Sequence, residues 1–420
     1  MTPAFAYRDG QLCVESVPLE QLAARFGTPC YVYSRAALEA RYDALVAAFA
    51  GQRARVCYAV KANGNLAVLG VLAARGAGFD IVSGGELARV IAAGGDPRSV
   101  VFSGACKLDE EMRFALAQDI ACFNVESAPE LERLSELAVA AGREARVAIR
   151  VNPDVEAGGH RHISTGKREH KFGLALEDAA PLIRRAAAMP GIRLTGVACH
   201  IGSQLMALAP LAAALEQLAD FVRGLLAADV PLEHVDAGGG LGIDHQGRTA
   251  PTPAEYAATV SAALGELGLE IVLEPGRAIA GPAGLLLTRT AYLKQGHGRK
   301  FALVDAAMND LIRPALYEAW HDILPVRAGG APDPEPVDVV GPVCETGDFL
   351  GRDRRLAVRA GELLAVMDGG AYGFAMSSNY NARPRACEIM VSGADARVVR
   401  QRETVEELWR GEARFEDAGG

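Results

Sequence analysis

Between about residue 55 and residue 275 the chain repeats one unit eight times: a short apolar, mostly β-branched run followed by an amphipathic stretch. The runs are RVCYAV from Arg55, GFDIV from Gly78, SVVF from Ser99, IACFN from Ile120, RVAIRV from Arg146, LTGVACH from Leu194, EHVDAG from Glu233 and EIVLE from Glu270. Short apolar runs bounded by turn residues suit strands, and the 3.6-residue periodicity between them suits helices. The helical stretches include LAVLGVLAARG, ELARVIAAGG, EEMRFALAQ and PELERLSELAVAAG, the last opening with Ser127 as an N-cap. Such alternation implies a parallel sheet, and eight units in about 220 residues fit a (β/α)8 barrel, with a doubly wound sheet as the competing arrangement.

After about Leu285 the pattern changes to LLLTRTAYLK, KFALVDA, PVDVVGPVC, LLAVMDGGAY and ACEIMVSG, β-like runs without regular helices between them. The expected organisation is therefore an N-terminal segment over residues 1–30, a barrel over 31–284 and a mainly β domain, a β-barrel or sandwich, over 285–420. The N-terminal segment, with the short helix LEQLAARFG stopped at Gly27, is expected to pack with the β domain.

Composition excludes several functions. With 43 Lys plus Arg against 52 Asp plus Glu, the formal net charge is −9, the wrong sign for a phosphate-backbone partner. No apolar run reaches the roughly 18 residues of a membrane helix, and MTPAFAYRDG lacks the basic start and apolar stretch of a signal peptide. The eight cysteines form no CxxC pair and suit reduced, mostly buried thiols, so the expected location is the cytoplasm. Glycine is in excess, 46 of 420 residues.

In a (β/α)8 barrel the chemistry gathers at the carboxyl ends of the strands. Here the first strand runs into Lys61, the second into Ser83 and Gly84, the fifth into Arg150 to Asn152, the sixth into His200, the seventh into Gly238, Gly239 and Gly240, and the eighth into Glu274. A lysine partly desolvated at a barrel mouth can become a carbonyl-seeking nucleophile, although a strand-end lysine can also simply reach for solvent. GGGLGI offers bare backbone N–H groups to a phosphate, at the seventh loop where this fold often binds one. Glu274 could hold a ring nitrogen protonated or pair with Arg277, and His200 could stack on a flat ring or be a packed barrel residue. Together, a lysine, a phosphate cradle and a carboxylate match the attachment points of pyridoxal 5'-phosphate.

GGHRHISTGKREHKFGL contains His160, His162 and His170, at spacings that match no zinc site, so no metal is expected. Its glycines and basic residues suit a mobile loop.

In order and spacing, YAVKAN, HIGSQ, the GGG loop, EPGR, VDAAMNDLIRPALY, CETGDF and DGGAY resemble the alanine-racemase-like, group IV pyridoxal-phosphate decarboxylases, from about Thr28 to Gly393. Within that family the likeness is to members acting on diaminopimelate. The resemblance implies decarboxylation of meso-2,6-diaminopimelate to L-lysine and CO2, the last step of lysine biosynthesis. Lys61 would attach the cofactor covalently and His200 would stack on it. Ser203, Gly239, Gly240, Gly276 and Arg277 would bind it, Glu274 would pair with its ring nitrogen, and Tyr372 would contact both cofactor and substrate. Arg277, Arg313 and Tyr317 would clamp the substrate carboxylate, Glu345 would take the distal ammonium and Cys344 would return a proton. The resemblance further implies a homodimer whose CET loops reach the neighbouring subunit's site, and a 158–171 segment that covers the site, bringing His170 and Lys171 near substrate. The competing readings are a same-fold decarboxylase of arginine, ornithine or carboxynorspermidine, and a non-catalytic cofactor-binding homologue.

Overall fold

The computed structural model describes residues 4–155, 172–246, 248–296, 298–329 and 333–415, so His160, His162, His170 and Lys171 lie outside the described residues. The chain divides into one unit of residues 35–283 and another of residues 1–34 with 284–420. Among the described residues no helix is long and apolar enough to cross a membrane.

Eight parallel strands build the first unit: β1 (Ala54–Ala59), β2 (Gly78–Ile81), β3 (Val100–Phe102), β4 (Cys122–Val125), β5 (Ala145–Asn152), β6 (Ile192–Cys199), β7 (His234–Asp236) and β8 (Glu270–Leu273). Each pairs with the next, and β8 pairs back to β1 with Ile271 opposite Ala54. That closure rules out a doubly wound sheet, which would leave two edges. Each expected strand is present because strands covered on both faces must be apolar on both, and so stand out as short runs.

Helices surround the barrel. Ser127 caps the helix Ala128–Ala140 by accepting from the Glu130 N–H. The helix Arg35–Ala48 precedes β1 and packs against both the helix Leu66–Ala73 and the helix Pro253–Leu264. It thereby fills the position in the ring that a helix after β8 would take.

Inside the barrel, Cys57, Val101, Cys122, Ala148, Ala198 and Val272 form one apolar layer. Side chains along a strand alternate faces, so the inward position two residues further on each strand belongs to the next layer up. On five of these strands that position is Ser103, Asn124, Arg150, His200 or Glu274. The interior thus changes from apolar to polar within one layer, at the carboxyl end.

The second unit is mainly β. Its large sheet runs in the order Phe349–Leu356, Glu335–Val340, Arg299–Val304, Gly284–Gly296, Cys30–Ser34, Cys387–Ser392, Asp395–Arg400. Alternate residues Cys30 and Val32, Leu285 and Leu287, and Cys387, Ile389 and Val391 share a core with Leu12, Val14, Leu19 and Leu22 of the N-terminal segment. The opposite face carries Tyr31 and Tyr33, and Tyr33 donates to Glu388 at 2.7 Å.

Candidate active site

The polar layer of the barrel is a connected network. Asn124 Nδ2 donates to Asp236 Oδ2 at 3.0 Å and to Ser103 Oγ at 3.2 Å, and lies 3.4 Å from Glu274 Oε1. Ser103 Oγ donates to the same Glu274 oxygen at 3.3 Å. Glu274 and Asp236 thus meet through the Asn124 amide, which contacts both. Both carboxyl groups titrate above their ordinary range. Burial is the first cause for each, and for Glu274 the negative charges of Asp236 and Asp80 add to it.

Lys61 stands on a single 3-10 turn (Val60–Ala62) directly after β1. Its Nζ donates to Asp80 Oδ2 of β2 at 2.7 Å, with the lysine about one-third exposed and the aspartate fully buried. Asp80 Oδ1 is buried without a hydrogen-bond partner. This carboxylate anchors the ammonium at the mouth, and its strand position inside GFDIV is a signal the sequence carries but periodicity alone passes over.

His200 follows β6. Loss of hydration, then the charges of Arg150 and Lys61, hold it neutral, well below the ordinary histidine range. Its Nδ1 accepts the Gly239 N–H at 3.1 Å, so the ring proton resides on Nε2. Arg150 is in turn fixed by Glu126 at 2.7 Å, and Glu126 also accepts the Gly173 N–H at 3.1 Å. Behind these, buried Lys107 donates to the carbonyls of Asn124 (2.6 Å) and Gly104 (3.0 Å) and to Glu130 (2.6 Å).

The glycine loop after β7 sits where backbones meet. A Cβ on Gly239 would collide with the Glu274 carbonyl, and one on Gly276 would come within 2.9 Å of the Ala62 Cβ. Gly240 needs glycine for its conformation as well, at φ +107. Arg277, buried, donates from Nε and Nη2 to Ser203 Oγ at 3.3 and 3.0 Å. Lys61, His200, Ser203, Gly239, Gly240, Glu274, Gly276 and Arg277 therefore all belong to the carboxyl-end loops of one barrel.

These residues fit pyridoxal 5'-phosphate at three points. The Lys61 amine suits its aldehyde, the buried Glu274 carboxyl suits its ring nitrogen, and the glycine cradle, which any side chain would fill, suits its phosphate.

The remaining candidates lie in the β unit. Arg313 opens the helix Arg313–Tyr317, is buried, and places its guanidinium 5.6 Å from the Tyr317 ring centre and 5.8 Å from that of Tyr372. Tyr372 has φ +56, unusual for a residue with a side chain. The next residue must be glycine, since a Cβ on Gly373 would collide with the Gly369 carbonyl and press against Tyr31.

Cys344 and Glu345 are exposed on the turn after strand Glu335–Val340. The turn is stapled by Asp348, which accepts the N–H groups of Met308 and Val343 at 2.7 Å each. Asn381 accepts the Cys344 N–H at 3.1 Å and Tyr380 donates to Glu345. The segment SSNYNARPR holding Asn381 and Tyr380 is missed by strand and helix patterns. Its only signal in the sequence is a polar run between two β segments.

Residues 35–281 match the model of the pyridoxal-dependent decarboxylases, pyridoxal binding domain. The chain is 54% identical over 409 residues to a diaminopimelate decarboxylase of Pseudomonas aeruginosa, covering 97% of this chain and 98% of the relative. It is 52% identical to that of Vibrio cholerae, covering 96% of each. Among solved structures, the diaminopimelate decarboxylase of M. jannaschii in complex with L-lysine superposes with a TM-score of 0.93 at 36% identity, covering 98% of each chain. The Helicobacter pylori enzyme, also complexed with L-lysine, gives 0.90 at 38%, covering 93% of this chain and 98% of that one. With the barrel closed, its mouth polar and the likeness extending over nearly the full length, the chain belongs to the diaminopimelate decarboxylase family of pyridoxal-dependent decarboxylases.

Proposed function

We infer that the chain is a carboxy-lyase that converts meso-2,6-diaminopimelate to L-lysine and CO2 with pyridoxal 5'-phosphate as cofactor. The observation that carries the substrate is the buried Arg313 between Tyr317 and Tyr372, in a chain whose near full-length relatives are diaminopimelate decarboxylases. A buried guanidinium close to two aromatic rings suits a carboxylate.

When bound, the cofactor supplies the electron sink for the pair left behind by CO2. Lys61 Nζ, held at the mouth by Asp80 at 2.7 Å, would be the amine that holds its aldehyde. Glu274, whose buried carboxyl titrates above its ordinary range, would face the ring nitrogen. His200, kept neutral, offers a flat ring that does not repel a cationic one. Gly239, Gly240 and Gly276 would present backbone to the phosphate, and Arg277 is oriented by Ser203. Arg277, Arg313 and Tyr317 would clamp carboxylate, Tyr372 would contact substrate and cofactor, and Glu345 would take the distal ammonium. Cys344 Sγ returns the proton that replaces CO2.

Cys344 and Glu345 are exposed in the single chain, a poor setting for proton return, and this supports a homodimer in which they complete the neighbouring subunit's site. The expected barrel division at residues 31–284 and a cytoplasmic location belong to the same reading. Purified holoenzyme given meso-2,6-diaminopimelate should release lysine and CO2 in equal amounts and leave ornithine and arginine nearly untouched. Absence of lysine, or preference for a monocarboxylic substrate, would sink it.

A further inference from the structure

The large sheet of the β unit brings two cysteines side by side that the proposed chemistry does not use. Strands Cys30–Ser34 and Cys387–Ser392 run parallel, with Cys387 in register with Cys30. Neighbouring strands lie about 4.8 Å apart, inside the roughly 4.4–6.8 Å between α-carbons that a disulfide spans. Both side chains point into the same apolar core, beside Val32, Leu287 and Ile389.

The pair is not symmetrical. Cys30 is fully covered, whereas Cys387 keeps 4% exposure and meets solvent first. Arg402 Nη2 stands 3.6 Å from the Cys387 sulfur and 3.5 Å from the Phe26 carbonyl. The Cys387 S–H faces the same carbonyl at 3.9 Å. A guanidinium against a sulfur favours thiolate. In keeping with this, Cys387 titrates below an ordinary thiol, through the neighbouring Cys30 thiol first and then the Arg402 charge, while Cys30 titrates far above. The barrel cysteines Cys122 and Cys199, by contrast, are pushed up by burial to about 12.

We propose that Cys30 and Cys387 form a peroxide-sensitive dithiol, with Cys387 as the attacking thiolate and Cys30 as the resolving thiol. The Cys387 sulfur attacks hydrogen peroxide, forming an S–O bond as the O–O bond breaks, and the departing hydroxide takes a proton to become water. The Cys30 sulfur then attacks the resulting sulfenic acid, forming the S–S bond and releasing a second water. Two thiols lose two electrons and one peroxide becomes two waters. The product joins the strand before the barrel to one near the end of the chain, and a thiol reductant reverses it.

The test uses full-length holoenzyme carrying Cys106→Ser and Cys344→Ser, which removes the two exposed thiols. After exposure to hydrogen peroxide, the protein is alkylated under denaturing conditions, digested without reductant and mapped by mass spectrometry. The expected product is one cross-linked pair of peptides holding Cys30 and Cys387, lighter by two hydrogens than their sum and separated by dithiothreitol. Recovery of both residues in alkylated form, or oxidation of Cys387 to sulfinic acid without a link, would overturn the proposal. Arg402→Met should slow linking by at least about threefold through loss of thiolate, and an unchanged rate would refute the activation of Cys387. In Cys30→Ala, dimedone should capture a sulfenic acid on Cys387; no adduct there would refute its role as the attacking thiol.

Discussion

The barrel mouth and the CET turn contribute to the proposed chemistry in opposite ways. At the mouth, Glu274, Asp236 and Asn124 are buried and joined to one another, and glycine backbone leaves no room for adjustment. On the turn, Cys344 and Glu345 stand in solvent, held through backbone N–H groups by Asp348 and Asn381. The difference teaches how one chain can separate holding a cofactor from choosing a substrate. A dry, closed network gives strong electrostatics at the cofactor, while an exposed stapled turn can change its side chains without disturbing that network.

The largest expected effect tests whether the mouth is indispensable. Lys61→Ala should lower lysine formation by about 10^4-fold or more and abolish the cofactor's protein-bound absorbance. Retention of a hundredth of the activity would break the comparison on the barrel side. Gly239→Ala should weaken cofactor binding by about 3 kcal/mol, because the new Cβ meets the Glu274 carbonyl. Titration of apoenzyme with pyridoxal 5'-phosphate measures it, and wild-type affinity would show that the cradle has slack.

Below the mouth, His234 is buried against Gly196 and its pKa is pushed down to about 4, by burial first and then by Arg55. Its folded value lies below its unfolded one, so the unfolded chain binds the extra proton and stability falls as pH drops from about 6.5 to about 4. The expected loss from this residue is about 2.5 kcal/mol over that window, read as the difference between the urea-midpoint profiles of the wild type and His234→Gln against pH. A flat profile would mean that the barrel interior is wetter than its packing indicates.

The smallest effect probes the turn. Asp348→Asn keeps its volume but turns one of its two oxygens into a donor facing backbone N–H, and should lower turnover about tenfold, near 1.4 kcal/mol. The cofactor absorbance should stay as in the parent. If the absorbance moved with turnover, the two regions would not be separable.

The barrel was legible because strands covered on both faces announce themselves as apolar runs, and Lys61, His200 and Glu274 follow those runs directly. The partners that organise them were not. Asp80 and Asp236 sit within GFDIV and EHVDAG, where an acidic residue among apolar ones is the available signal, yet which acid meets which depends on barrel closure. The helix Arg35–Ala48 buries only Leu38, Tyr42 and Leu45 on an otherwise polar and alanine-rich face, too narrow a stripe to stand out. Cys30 and Cys387 become neighbours only through a sheet that draws its strands from both ends of the sequence.

One pairing in that sheet bears on how the molecule can assemble during synthesis. Strand Cys30–Ser34 lies antiparallel to the start of strand Gly284–Gly296, with Gly284 opposite Tyr33, so residues 35–283 are an insertion at the tip of what is otherwise a hairpin. A ribosome releases the first half of this hairpin long before the second. Its apolar face must therefore wait, unpaired, while an entire barrel is made, and the barrel can finish folding before the sheet that encloses its point of insertion exists.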